Sequence, residues 1–145
     1  MSRVVNTDGP GKHRNQLMRT GAEVLRLLSQ KAELDDEARD MTAMLIFCLR
    51  QIDAGIDDSA LAWEKRDYWV KAEQFRARWA WAGRLGGELS SLVTTGEWDQ
   101  LPMLLAKALP HFTEIKIVKV TRNPDLWLGA YQRLIQQDNG HRNSG

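Results

Sequence analysis

One short segment decides the fold class of this chain by having no counterpart. Residues 115 to 120, IKIVKV, have the β-branched density of a strand. No second run of comparable character exists to pair with them, and an unpaired strand leaves a row of backbone N–H and C=O groups without partners. The remaining apolar residues recur at helical spacing. The chain is therefore expected to be all-α, a single-domain bundle of about five helices around a long tryptophan-rich third helix, with an extended C-terminal connector. IKIVKV is expected as an extended connector that packs Ile115, Ile117 or Val118 against the helices and holds the last one in place.

The helices follow from the apolar pattern and its punctuation. Leu17, Gly21, Val24, Leu25 and Leu28 fit the i, i+4, i+7, i+8, i+11 template of an amphipathic helix. A second starts near Leu34, where Asp35, Asp36 and Glu37 set negative charge beside the free N–H groups of a first turn. It continues through Met41, Met44, Leu45, Cys48, Leu49 and Ile52 to Gly55, and Ile46 and Phe47 widen its apolar face towards burial on more than one side. Asp57 or Asp58 then caps a third helix, which meets no breaker before Gly83 and should kink or break near Gly86. Trp98, Leu101, Leu104, Leu105 and Leu109 mark a fourth, with Pro102 in its first turn and Pro110 at its end. Asn123-Pro124, a cap followed by proline, opens a fifth through Leu126, Trp127, Ala130, Tyr131, Leu134 and Ile135. Residues 14–137 form the expected domain, between flexible tails at 1–13 and 138–145.

The third helix is the unusual one. Residues 63 to 84, WEKRDYWVKAEQFRARWAWAGR, hold four of the six tryptophans. On one continuous helix, at about 100° per residue, Leu61 and Trp79 share an azimuth with Tyr68, Ala72 and Phe75 near it. Trp63, Val70, Ala77 and Trp81 then form a second apolar stripe about 200° away. A helix with two apolar faces is either central to its own domain or gives one face to another chain. Tryptophan favours the second use, being enriched at interface hot spots. Trp63, Val70 and Trp81 are thus the expected partner-binding residues.

Several classes of chemistry find little support. The histidines, His13, His111 and His141, fall in tails or a loop, and His111 with Glu114 lacks a third ligand, so no metal site is expected. The carboxylates Asp35, Asp36, Glu37 and Asp40 are explained by a helix start, and Cys48 by burial in an apolar run. Phosphate-binding loops, dinucleotide fingerprints and nucleophile elbows are absent from the sequence. The expectation is a non-enzyme without cofactors. A single cysteine and a longest apolar run far below about 20 residues argue for a cytoplasmic chain that neither carries disulfides nor crosses a membrane.

Two functional readings follow. The first is a helical protein–protein interaction module that associates with itself, a homo-oligomer, or binds another protein. The alternative is a small nucleic-acid-binding accessory protein. In it Arg66, Lys71, Arg76, Arg78 and Arg84 on the third helix, with Lys116, Lys119 and Arg122 on the 115–122 segment, hold phosphates while neighbouring aromatics stack on bases. Acidic neighbours and a net charge of only +1 weigh against it.

Overall fold

The computed structural model describes the backbone from Val5 to Ser144 and the side chains from Gly9 to Gly140. Five α-helices are found there: α1 (Val5–Ser29), α2 (Asp36–Glu64), α3 (Trp69–Thr95), α4 (Leu101–Phe112) and α5 (Ala130–Ser144). No strand occurs among the described residues. The fold is an all-α bundle. α1 takes in residues 5–13 and α5 residues 138–144, which the sequence reading assigned to tails.

The centre of the bundle belongs to α2 rather than to the tryptophan-rich helix. It packs against α1, α3 and α5, while α4 lies across α1 and α3. Its buried set, from Ala38 through Met41, Leu45, Ile46, Leu49, Ile52 and Ile56 to Ala60, covers more than one side, as Ile46 indicated in the sequence. Asp35 caps it, accepting from the Ala38 N–H at 2.8 Å.

The largest departure from the sequence reading lies between Glu64 and Trp69. Asp57 and Asp58 cap nothing, because α2 runs straight through them, and the chain turns at residues 65–68. The Tyr68 N–H bonds to the Trp63 carbonyl at 2.9 Å and the Asp67 N–H to that of Glu64 at 3.0 Å, with Asp67 left-handed at φ 65°. That is the paired closure of a Schellman C-cap, with aspartate where glycine usually stands. Without Gly or Pro the turn is silent to pattern reading, and it abolishes the two stripes calculated for one helix. Leu61 and Trp63 belong to α2, whereas Val70, Trp79 and Trp81 belong to α3.

Gly86 does not break α3. A Cβ there would lie 3.3 Å from that of Leu49, and at Gly83 it would fall 2.8 Å from the Asp53 carboxylate. The two glycines let α2 and α3 approach closely, and α3 ends instead at Gly96, φ 73°. α4 likewise passes Pro110 to bury Phe112. Asn123 caps only a short 3₁₀ turn, Pro124–Leu126, accepting from Asp125 N–H at 2.9 Å. The fifth helix starts later than expected, because Gly129 turns left-handed at φ 79° and Asp40 of α2 accepts the Gly129 and Tyr131 N–H groups, both at 3.0 Å.

The 115–123 segment is an irregular connector. Ile115 and Ile117 pack on the core, while Val118 is exposed. Several of its backbone groups are paired with side chains of α1. Arg19 donates to the Lys119 carbonyl at 2.8 Å and Arg26 to that of Ile117, while Glu23 accepts the N–H groups of Thr121 and Arg122 at 2.6 and 2.9 Å.

Candidate interaction surface

Five of the six tryptophans are accounted for by contacts within the chain. Trp63 meets the Phe75 ring edge-on at 4.7 Å, with Lys71 Nζ 4.5 Å over its face. Trp79 lies under the Arg14 guanidinium at 5.4 Å, and Trp81 stacks on His111 at 4.1 Å, with Phe112 edge-on at 5.6 Å. Trp98 packs near Tyr131, and buried Trp127 donates to Glu37 at 3.3 Å. Trp69 is the exception at 59% exposure.

Trp69 sits where the hairpin leaves the core. Between Ala60 and Ala82 only Ala72 is buried, so the outer parts of α2 and α3 pack mainly on each other. Their end exposes Leu61 (44%), Tyr68 (53%) and Val70 (68%) as well as Trp69. Arg76 bonds to Glu64 and lies 3.4 Å from Asp57, holding the Glu64 carboxyl below its ordinary range. Positions 57, 61 and 64 share one face of α2, and 69 and 76 share one face of α3. The Arg76 pairs therefore set Leu61 and Trp69 along the same edge. Because the turn is closed by backbone bonds and the edge by ion pairs, these apolar side chains stand on a defined frame.

The structure separates the residues expected to bind a partner. Trp63 and Trp81 are half-buried on different helices against different neighbours, and Val70 alone lies in the exposed group. Tyr68 and Trp69 were missed as surface residues because a continuous helix would have buried them or set them apart. For Trp69 a signal was present, since the positions one and two turns on are Ala72, Glu73 and Arg76, with no large apolar residue to continue its stripe.

The basic residues are dispersed. Arg66, Lys71, Arg78 and Arg84 are exposed on the hairpin, whereas Arg76 is engaged by Glu64 and Asp57. Lys116 and Lys119 are exposed on the connector, and Arg122 is drawn back onto α1, donating to Thr20 Oγ1 at 3.0 Å. Burial, and then the neighbouring charge of Arg84, lowers the His111 pKa. Burial pushes the Cys48 thiol up to about 12, which leaves it a packed apolar group.

Comparison with family models, curated proteins and solved structures gives no match. The geometry alone carries the reading. A second apolar surface exists, a cleft of about 370 Å³ lined by Leu28, Leu34, Trp98, Leu101, Leu105 and Leu109. Its one lysine, Lys31, is already held by Asp35 and Glu37 at 3.0 and 2.7 Å. No helix among the described residues is long and apolar enough to cross a membrane.

Proposed function

We propose that this chain is a non-enzymatic helical interaction module that associates with itself through the end of the α2–α3 hairpin. The observation that carries the reading is the exposed group Leu61, Tyr68, Trp69 and Val70 on a hairpin end that contributes little to the core. Large aromatic side chains at such a position are costly to leave in water and are the usual anchors of protein interfaces. Val70 remains in the proposed surface, while Trp63 and Trp81 serve the fold.

Light scattering across about 1 to 100 μM, a range spanning ordinary affinities, should report a dimer or larger species. Trp69→Glu with Val70→Glu should give a monomer with unchanged far-ultraviolet circular dichroism. A wild-type chain that stays monomeric throughout removes the proposal. Saturable nucleic-acid binding at about 150 mM salt, lost in Arg66→Ala and Arg78→Ala, would instead support the nucleic-acid reading.

A further inference from the structure

The exposed face of α2 that carries Leu61 has a charge pattern of opposite sign at its two ends, which makes the face complementary to an antiparallel copy of itself. Asp58, Leu61, Ala62 and Lys65, the last capping α2 with its backbone still helical, are all exposed, and at about 100° per residue they fall within about 100° of one another. Leu61 and Ala62 occupy the middle, with one carboxylate a turn before them and one ammonium a turn after. Among the described residues no ion pair to Asp58 or Lys65 occurs. Nor can they meet each other, standing about 10 Å apart along the axis at 1.5 Å per residue.

We infer that a second copy of the chain docks antiparallel across α2, with a two-fold axis beside Leu61 and Ala62 that sets Asp58 of each copy against Lys65 of the other. The inference rests on the self-association proposed above and specifies its geometry. In an isologous contact, positions equally far from the axis face one another. Position 61 then meets 62, and 58 meets 65, so the leucine packs on the small alanine and each charge meets its opposite. A parallel arrangement would set Asp58 on Asp58 and Lys65 on Lys65. Trp69, on the edge that Leu61 borders, extends the contact onto α3. The complementarity is thus between two copies of one surface, and a second copy is the occupant it fits.

Charge reversal at the two positions tests this directly. Asp58→Lys alone and Lys65→Asp alone each place like charges in both symmetric pairs, and each should weaken self-association at least tenfold. The double variant restores opposite charges and should recover most of the affinity. An equimolar mixture of the two single variants should form a heterodimer, because each then meets its complement. Raising salt to about 1 M, where the Debye length is about 3 Å, should shrink the differences. Circular dichroism checks that all the variants remain folded. Single reversals that weaken association without rescue by the double variant or the mixture overturn the inference. Reversals without effect, in a protein that Trp69→Glu with Val70→Glu still makes monomeric, overturn the axis and leave self-association standing. A wild-type monomer overturns both.

Discussion

Replacing Glu23 by glutamine should remove about 3 kcal/mol of stability at pH 7, given about 1.36 kcal/mol per pH unit of displaced pKa. The side chain is fully buried on α1. Burial alone would raise its pKa, but a bond from Arg19 Nε at 2.7 Å, the backbone N–H groups of Arg122 and Thr121, and the Thr121 hydroxyl outweigh it. The carboxyl is held at about 2, against an ordinary 4.5. Its stabilising effect is full above about pH 4.5, where the unfolded chain is also ionised, and is lost as pH falls towards 2. Glutamine keeps one carbonyl oxygen for the two backbone donors but turns an amide N–H₂ towards Arg19. Urea unfolding of both proteins at pH 7, 4.5, 3.5 and 2.5 checks this. The gap between them should be widest at pH 7 and narrow steadily below 4.5, while the acidic groups common to both cancel. Equal stability at pH 7, or a gap that does not change below 4.5, would refute the assignment of Glu23 as the ionised anchor of the connector.

Neighbouring glycines on α3 should respond oppositely. Gly87 is exposed with nothing within 4 Å of an added Cβ, so Gly87→Ala should raise stability by about 0.5–1 kcal/mol from helix propensity alone. Gly86→Val drives a branched side chain into Leu49 and should cost about 1–3 kcal/mol, both read from thermal or urea unfolding. At the left-handed Asp67, Asp67→Val should cost about 1–2 kcal/mol while Asp67→Gly should be neutral or stabilising. Equal effects of the two would show that the turn relaxes when its side chain changes.

The fold class was legible because it rested on period and on an absence. Helical spacing marked the cores of α1, α2 and α4, and the absence of a pairing strand pointed to a connector at IKIVKV without deciding its local form. The α2–α3 turn was illegible for a specific reason. Its left-handed residue is an aspartate, and the flanking WEKRDYW has neither the glycine nor the proline that announces a C-cap. The error propagated, since a wheel drawn through a turn assigns azimuths to a helix that does not exist. Gly83 and Gly86 misled in the other direction. Intrinsic propensity read them as a break, but close approach of α2 outweighs the roughly 1 kcal/mol that each costs in a helix. The hydrogen bonds that Glu23 and Asp40 accept from backbone N–H groups about 90 or more residues away had no local signal.

The turn that hid the hairpin end also explains how that end can be spared from folding work. The core of α2 runs from Ala38 to Ala60, and the buried core of α3 resumes at Ala82. Beyond those limits the two helices hold each other through buried Ala72, the Trp63–Phe75 contact and the Arg76 pairs with Glu64 and Asp57. Exposed ion pairs contribute only about 0–1 kcal/mol. The outer hairpin is consequently a weakly loaded extension of a well-packed base. Changes to Leu61, Tyr68, Trp69 or Val70 then act mainly on what the surface meets, whereas changes to Leu45, Ile46 or Leu49 act on whether the chain folds. Burial against a second copy would exclude water from the Arg76 edge and strengthen its pairs, because their attraction rises as the local dielectric falls. Association, as proposed, would thereby be coupled to hairpin order through the same few side chains.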